Sequence, residues 1–189
     1  SLIKSELISG VPIGLVGNYI NVTIMEQLKK KVPERLFYDY WYEGEICCLF
    51  SDSNTGKSVL AVQIASEIAK RQTVIYFDFE LSDKQFQMRY TEKSVIPGSP
   101  GVPHVFPDKL MRFTIDPERL DINRIDDQIL EGIERVAVAN NSKILVIDNL
   151  TYICANSEKS DAAGRLMMSL MKLKKQYDWS ILVIAHTPK

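Results

Sequence analysis

Four short apolar segments, separated by helical patterns, constrain the fold of this chain more than any other feature. They are Glu45–Phe50, Thr73–Phe79, Lys143–Asp148 and Trp179–Ala185. Their interiors are continuously apolar, and polar residues lie at or just after their carboxyl ends. Continuous apolar runs are typical of strands buried on both faces. Their alternation with helices predicts an α/β fold, a mostly parallel central sheet with helices on both faces.

The remaining segments complete this predicted arrangement. Residues 1–40 are expected to form an N-terminal helical lead-in, and residues 41–189 the core domain. Proline and glycine make Val95–Pro107 a predicted loop, and Met111–Ile115 is a predicted short strand. Helices are predicted over Val22–Leu36 in the lead-in, Lys57–Arg71, Asp83–Lys93, Asn123–Asn140 and Ala162–Tyr177.

Composition excludes several classes of protein. The net charge is −1 over 189 residues, so no global positive field attracts nucleic acid or an anionic membrane. The sequence has no apolar run of bilayer length and no signal peptide, which favours a cytoplasmic protein with no membrane partner. The three cysteines, Cys47, Cys48 and Cys154, lack metal-ligand spacing and are expected to be reduced thiols. Cys47 and Cys48, adjacent on one strand, should point to opposite faces of the sheet.

A phosphate-binding loop is predicted between the first strand and the helix that follows it. Gly-Lys-Ser at Gly56, Lys57 and Ser58 closes the loop. Compact loop residues let backbone N–H groups surround a phosphate, and the N-terminus of the helix favours an anion. The lysine would reach the outer phosphates and the serine hydroxyl would bind magnesium. The predicted nucleotide-binding residues are Ser51, Asp52, Ser53, Asn54, Thr55, Gly56, Lys57 and Ser58.

One position departs from the usual loop pattern. Ser51 stands where glycine is customary. Serine is small, but a positive φ angle costs it more than it costs glycine. Because Asn54 and Thr55 are also compact, we expect the loop to form.

Acidic residues end two of the other predicted strands. Asp148 closes a buried strand downstream of the loop, where a carboxylate would hold magnesium through water. Glu80 follows the second strand and could polarise the attacking water. Asp78 lies on the same side of that strand, so it could share either task. The alternatives are a turn-capping Asp148 and a Glu80 that is an ordinary surface residue.

Two further side chains are candidates for nucleotide contacts. His186 follows the last strand and could sense the γ-phosphate, although a partly buried structural histidine is the simpler interpretation. Trp41 or Tyr42, just before the first strand, might stack near a base, but an aromatic in this position is more often part of the core.

These motifs together resemble the RecA-like ATPases, and among them the group of the plasmid replicative helicase RepA and DnaB. The similarity covers roughly Trp41 to Lys189. It rests on Glu43–Ile46, Gly56–Ser58, Asp78–Glu80, Ile147–Asn149 and His186–Lys189.

The resemblance implies an ATPase that takes ATP and Mg²⁺, with Lys57 on the β- and γ-phosphates and Ser58 and Asp148 on the metal. It implies that Glu80 activates water and that His186 acts as a polar sensor; Lys189 matches a basic position in such families. It further implies single-stranded DNA as a partner and a homo-oligomeric ring, a hexamer in relatives. A plasmid or mobilizable transposon would encode such a protein for its replication or mobilisation. Thr151–Gly164 corresponds to a region that contacts DNA in relatives, although its composition equally suits a plain surface loop.

The sequence ends at the sensor position, whereas such cores usually continue to an arginine finger. We therefore expect an incomplete core whose own hydrolysis is slow. Two alternatives remain open. One is a nucleotide-gated interaction module with little turnover. The other is a small-molecule kinase that uses Lys109 and Arg112 near a phosphate lid.

Overall fold

A computed structural model describes residues 15–52, 54–95, 98–150 and 162–186. The chain divides into two units, residues 1–34 and 35–189. In the first unit, the described part holds one helix, α1 (Ile20–Gln27). The helix predicted over Val22–Leu36 is therefore wrong in its second half, because Pro33 disfavours a helical conformation in the residue before it. Leu36 instead lies in a strand of the second unit.

The second unit begins with a small antiparallel ribbon and continues as alternating strands and helices. The ribbon pairs β1 (Arg35–Phe37) with β2 (Trp41–Tyr42). The following elements are β3 (Ile46–Ser51), α2 (Lys57–Ala69), β4 (Val74–Asp78), α3 (Asp83–Arg89), β5 (Thr91–Glu92), β6 (Val102–Pro103), β7 (Leu110–Thr114), two 3-10 turns (Pro117–Arg119 and Ile122–Arg124), α4 (Ile125–Ala139), β8 (Ile144–Asp148), α5 (Ala162–Tyr177) and β9 (Ser180–His186).

Five strands form one parallel sheet in the order β3-β9-β8-β4-β7. The strand that follows the phosphate loop in sequence, β4, is thus separated from β3 by β8 and β9. In this register Asp78 pairs with Asp148, and Ser51 pairs with His186. The carboxyl ends of all five strands therefore lie along one edge of the sheet, where ligands bind in open α/β sheets.

Helices cover both faces of this sheet. Along β8, Leu145 and Ile147 belong to the core cluster that includes α4 and α5, whereas Ile144 and Val146 belong to the cluster that includes α2. Successive side chains of a strand point to opposite faces, so a strand covered on both sides must be apolar throughout. The predicted α/β architecture is confirmed. Cys48 and Cys47 also fall on opposite faces, as predicted.

Helix α2 begins where the phosphate loop ends and packs one apolar stripe on the sheet. Ile64, Ala65 and Ile68 lie on this stripe and are almost completely buried. Burying an isoleucine side chain of this kind stabilises the fold by about 1.5–3 kcal/mol. This packing fixes the helix against the sheet and thereby fixes the position of Lys57 in its first turn.

Two predictions for the segment after β4 were incomplete. Helix α3, which a Ser82–Gln85 capping box starts, ends at Arg89 rather than at Lys93. The β-branched Thr91 instead pairs with Pro103 in an antiparallel bridge, which places a short strand inside the predicted loop Val95–Pro107. Local composition did not reveal this pairing because the two strands have only two residues each.

Candidate functional site

The phosphate loop connects β3 to α2 through backbone conformations that need particular residues. Gly56, just before the helix, has φ +87°, a left-handed conformation that glycine adopts without steric cost. Asn54 has φ +62°, which asparagine tolerates better than most residues. Ser53 lies outside the described residues.

Ser51 does not need the conformational freedom of the glycine that it replaces. It is the last residue of β3, and its φ does not lie in the left-handed region. Its hydroxyl is hydrogen-bonded to the hydroxyl of Thr55, which donates to the carbonyl oxygen of Asp52 at 2.9 Å. The serine therefore closes the loop with a side-chain bond that glycine could not make.

The side chain of Lys57 turns back into this loop. Its Nζ donates to the carbonyl oxygens of Ser51 and Asp52, both at 2.6 Å, and lies 3.2 Å from the Ser51 hydroxyl. The residue is only 9% exposed. The ammonium group thus sits at the centre of the loop, surrounded by oxygen atoms. The first turn of α2 carries no acidic side chain and no side-chain cap, which leaves its N–H groups available to an anion.

Asp148 lies at the end of β8, close to the start of α2. The hydroxyl of Tyr76 donates to its Oδ2 at 2.6 Å, and Oδ1 has no hydrogen-bond partner in the described part of the chain. Burial raises the pKa of this carboxyl group, and the nearby Asp78 and Glu80 charges raise it further. Hydrogen bonds from the hydroxyls of Tyr76 and Ser58 lower that pKa in part. The buried oxygen Oδ1 therefore favours a cation.

These donors fit magnesium bound together with a nucleotide. Among the described residues, no group of three or more His, Cys, Asp or Glu side chains could hold a metal unaided. Mg²⁺ commonly uses one or two carboxylates with phosphate oxygens and water rather than an all-protein cage. Asp148 and the Ser58 hydroxyl would provide the protein's share of such a shell.

Asp78 has a different environment from Asp148, although the two residues pair in adjacent strands. Its Oδ2 accepts from Arg112 Nε at 2.9 Å, and its Oδ1 accepts from the backbone N–H groups of Glu80 and Leu81 at 3.1 and 2.9 Å. The side chain is 2% exposed. Both oxygens are thus committed to the turn after β4. Asp78 holds the backbone of Glu80 in place.

Arg112 completes the support of this turn from the edge strand β7. Besides Asp78, its guanidinium contacts Asp83 at 2.6 Å and the carbonyl oxygen of Leu81 at 2.6 Å. It also lies over the ring of Phe86, 4.4 Å from the centroid. These contacts bind Arg112 to the sheet edge and to α3, so it is not placed to act in a phosphate lid.

Glu80, Asn149 and His186 form a chain across the ends of β4, β8 and β9. Asn149 Nδ2 lies 3.0 Å from Glu80 Oε2 and 3.1 Å from His186 Nε2. Glu80 is exposed, whereas Asn149 is 4% exposed. The backbone N–H of Phe79 also donates to the carbonyl oxygen of Asp148, at 2.6 Å, so the two strand ends remain joined beyond their last paired residues.

The structure therefore brings the predicted residues together in two groups. Lys57, Ser58 and Asp148 gather at the start of α2, and Glu80 and His186 meet through Asn149. Ser53, Cys154, Lys189 and most of Thr151–Gly164 lie outside the described residues.

The sequence did not single out Asn149 or Tyr76. Asn149 directly follows Asp148. Tyr76 lies two residues before Asp78 and shares its face of β4. The sequence position of Asn149 next to Asp148, and that of Tyr76 on the same face of β4 as Asp78, are signals from which the two residues could have been predicted as part of the site.

Trp41 belongs to the core. It is 1% exposed, and its indole Nε1 donates to the carbonyl oxygen of Glu45 at 3.2 Å. A cavity of about 600 Å³ lies instead along the outer side of α2. Val59 and Leu60 line it at the end nearest Lys57, and aromatic side chains, among them Phe37, Tyr90 and Phe106, form more of its wall.

A parallel sheet with a glycine-lysine-serine loop at one strand end, and a buried carboxylate at another, defines a P-loop nucleotide-binding protein of the ATPase type. A family model described as an AAA domain matches residues 23–189. The chain belongs to this family of AAA domains, and the predicted RecA-like α/β fold is confirmed. A search of curated proteins found no match.

In the described ranges, none of the helices combines the length and the hydropathy needed to cross a bilayer.

Proposed function

We propose that this chain binds ATP with Mg²⁺ and hydrolyses it. The observation that carries the proposal is the position of Asp148. Its oxygen Oδ1 has no partner among the described residues, and the Ser58 hydroxyl next to it contributes to the pKa of the carboxyl group. A serine in the first turn of the helix after a phosphate loop, together with a carboxylate at the end of another strand, are the ligands that P-loop ATPases give to magnesium.

Each predicted residue then has a defined task. Lys57 leaves the carbonyl oxygens of Ser51 and Asp52 and binds the β- and γ-phosphates, together with the N–H groups of the loop. Ser58 and Asp148 hold the metal, which when bound neutralises charge developing on the phosphate oxygens. Two tasks remain, which are to orient the attacking water and to contact the γ-phosphate. Both need charged or hydrogen-bonding side chains, and we assign them to Glu80 and His186.

Glu80 would position the attacking water. Water attacks the γ-phosphorus, the bond from that phosphorus to the β–γ bridging oxygen breaks, and ADP and phosphate leave. Glu80 orients the water and accepts its proton. Glu80 is exposed at the strand end, so water can reach it, while the hydrogen bonds from its own backbone N–H to Asp78 and from Asn149 fix its position. His186 would contact the γ-phosphate.

The base of the nucleotide would occupy the cavity beside α2. Val59 and Leu60 follow the phosphate-binding residues directly and are partly exposed in its wall. Tyr90 and Phe106 meet there edge to face, with ring centroids 5.2 Å apart. Aromatic and apolar walls of this kind suit a planar purine.

The kinase alternative loses its support, because the Arg112 guanidinium is held by Asp78, Asp83 and Leu81. The nucleotide-gated module remains the second candidate. The mild net charge of −1 favours it, and the closed arrangement of Lys57 with its own loop suits a protein that responds mainly to nucleotide binding.

We further propose that the ATPase acts on single-stranded DNA as a helicase-like motor for a mobile element. It would work as a homo-oligomeric ring in the cytoplasm. Residues 1–40 would form its lead-in and residues 41–189 its core. The support is the resemblance to the RepA and DnaB group. A second support is a set of basic side chains on α5, where Arg165, Lys172 and Lys175 are exposed on one helix. Such a set offers charges for phosphate contacts.

DNA binding can be tested on those side chains. Lys172→Ala with Lys175→Ala should weaken single-stranded DNA binding and lower the slope of log K against log salt by about 0.7 for each phosphate that is no longer neutralised. A matched control replaces two exposed cations at the end of α2, Lys70 and Arg71, with alanine. An equal decrease in both pairs, or no decrease in the first, would remove the structural support for DNA as the partner.

A further inference from the structure

The hydroxyl of Ser51 contacts two other side chains of the phosphate loop, and the direction of each hydrogen bond can be assigned. Thr55 Oγ1 donates its one hydrogen to the carbonyl oxygen of Asp52 at 2.9 Å. In the contact between the two hydroxyls, Thr55 is therefore the acceptor and Ser51 the donor. The Asp52 carbonyl oxygen, 3.4 Å from the Ser51 hydroxyl, is a longer alternative for that hydrogen. With either partner, the lone pairs of the Ser51 oxygen remain for Lys57 Nζ, which lies 3.2 Å away.

Lys57 uses all three hydrogens of its ammonium group within the loop. Two go to the carbonyl oxygens of Ser51 and Asp52, both at 2.6 Å, and the third goes to the Ser51 hydroxyl. Oxygens of the β- and γ-phosphates would replace the two carbonyl oxygens. The Ser51 hydroxyl is then the partner that remains for the third hydrogen. Glycine, which usually stands at this position, has no atom for that contact.

We infer that Ser51 is a positioning residue, whose hydroxyl holds the ammonium group of Lys57 while the other two hydrogens pass from the loop to the phosphates. The carbonyl oxygen of Asp52 stays paired during this exchange because it keeps the hydrogen bond from Thr55. Ser51 itself is fixed by its place in the sheet, as the last residue of β3, where it pairs with His186 of β9. The inference rests on the proposed function, since it needs a nucleotide that Lys57 binds.

The contact should contribute more in the nucleotide complex than in the free protein. Asp52, Asn54 and Thr55 are exposed, so water can enter the free loop and replace a missing hydroxyl on the ammonium group. A bound nucleotide would cover the loop and exclude that water. Without the hydroxyl, one ammonium hydrogen would be buried without a partner, which is unfavourable. Removal of the hydroxyl should therefore weaken nucleotide binding.

Isothermal titration of Ser51→Ala with Mg²⁺ and the non-hydrolysable analogue AMP-PNP tests this expectation. Alanine fits the backbone here, because the φ of Ser51 does not lie in the left-handed region. The Kd should rise about two- to tenfold, as expected for the loss of one hydrogen bond. Equal or tighter binding by the variant would overturn the inference. If Ser51→Ala fails to fold, Ser51→Gly replaces it, because glycine is customary at this position.

A double-mutant cycle separates this role from simple bracing of the loop. If Ser51 acts through the ammonium group, Ser51→Ala should cause no further loss of affinity in a Lys57→Ala background. If the hydroxyl only braces the loop through Thr55, Ser51→Ala should weaken binding equally in both backgrounds. That second result would overturn the inference.

A matched control is Ser180→Ala. Ser180 is also buried, and its hydroxyl accepts from the backbone N–H of Gly44 at 2.8 Å, but it begins β9 at the opposite edge of the sheet. This variant should bind the analogue as the unchanged protein does. A decrease equal to that of Ser51→Ala would mean that the effect does not come from the phosphate loop, and would contradict the inference.

Nitrogen NMR of the lysine ammonium groups tests the contact without nucleotide. Because Lys57 is 9% exposed and its three ammonium hydrogens are bonded, they should exchange slowly with water and give a signal that Lys57→Ala removes. Exchange at this signal should be faster in Ser51→Ala, and an unchanged rate would overturn the contact. If the unchanged protein binds no nucleotide, the proposed function fails and the positioning role fails with it, whereas the exchange rate still decides whether Ser51 holds Lys57.

Discussion

The Nζ atom of Lys57 lies 2.6 Å from the carbonyl oxygens of both Ser51 and Asp52. A lysine held in this way keeps the phosphate loop wrapped around a positive charge. Phosphate oxygens would substitute for the two carbonyl oxygens, so the lysine exchanges one set of oxygen partners for another. The charged group is thus already positioned when a nucleotide arrives.

Lys57→Ala should weaken ATP binding about tenfold or more, because a hydrogen bond to a charged group contributes about 1.5–3 kcal/mol. Isothermal titration with MgATP measures the effect. Lys70→Ala is the matched control, since Lys70 lies just beyond the other end of α2 and pairs with exposed Glu67. Equal affinities of the two variants would remove Lys57 from the phosphate site.

Tyr76→Phe should weaken the use of magnesium without altering the fold. The variant keeps the ring but removes the hydrogen bond to Asp148 Oδ2, which leaves the carboxylate less well oriented. Loss of such a supporting bond typically costs about 10–100-fold in metal affinity. The Mg²⁺ concentration that gives half of the maximal ATPase rate should rise accordingly.

Tyr177→Phe is the control for that experiment. It also removes a hydroxyl bonded to a carboxylate, that of Glu134, at the distant end of α5. Its magnesium dependence should match the unchanged protein. A normal magnesium dependence in Tyr76→Phe would mean that the hydrogen bond serves packing alone.

Asp148→Asn should stabilise the magnesium-free protein at pH 7. Burial raises the pKa of Asp148 above its ordinary value of 3.8, so the folded state binds this proton more tightly than the unfolded state does. Stability contributed by the protonated form is therefore lost as pH rises through the raised pKa. Asparagine carries no charge at any of these pH values, so the variant does not lose this stability as the pH rises.

Urea unfolding in EDTA at several pH values measures this difference. The variant should exceed the unchanged protein in free energy of unfolding at pH 7, and the gap should narrow as the pH falls toward 4. A less stable variant at pH 7, or a gap that widens on acidification, would contradict the assigned cause of the pKa shift.

Asp78→Asn should destabilise the fold and slow turnover together. The substitution leaves the Arg112 guanidinium, which is 18% exposed, without its buried anionic partner. Breaking a buried pair by removing one partner costs about 3–5 kcal/mol, here toward the lower end because Asp83 and Leu81 still hold Arg112. Turnover should fall because Asp78 also anchors the backbone of Glu80.

Asp116→Asn gives the comparison. Its pair with Arg119 lies in the solvent, where such pairs contribute at most about 1 kcal/mol. Denaturant titration of both variants should separate them clearly. Similar decreases in stability would mean that the Asp78 pair contributes no more than a surface pair does.

The sequence was sufficient for the architecture because β3, β4, β8 and β9 contain continuous apolar runs. It also predicted the positions of the phosphate loop, Asp148 and Glu80, since each lies at or just after the end of such a strand. It could not reveal the order of the strands, which is set by packing between distant segments. The neighbours Glu80, Asn149 and His186 depend on that order, because β9 lies beside β8 only in the folded sheet.

The ends of the helices and strands were harder to predict from the sequence, because they depend on contacts beyond the neighbouring residues. Arg89 ends α3, where the β-branched Thr91 leaves the helix to pair with Pro103. This pairing joins a residue just after the helix to a residue inside the proline-rich loop. Propensity over a short window predicts Asp83–Lys93 as one helix, whereas the contact that shortens it lies outside the window.

The central claim is that Lys57 and Glu80 serve one magnesium-dependent hydrolysis of ATP. Phosphate release should be measured with and without Mg²⁺ and single-stranded DNA, beside Lys57→Ala and Glu80→Gln. The account predicts magnesium-dependent release that DNA stimulates, abolished by both substitutions, with ATP binding weakened in Lys57→Ala and retained in Glu80→Gln. ATP binding without turnover would favour the nucleotide-gated module, and failure to bind ATP would contradict the claim.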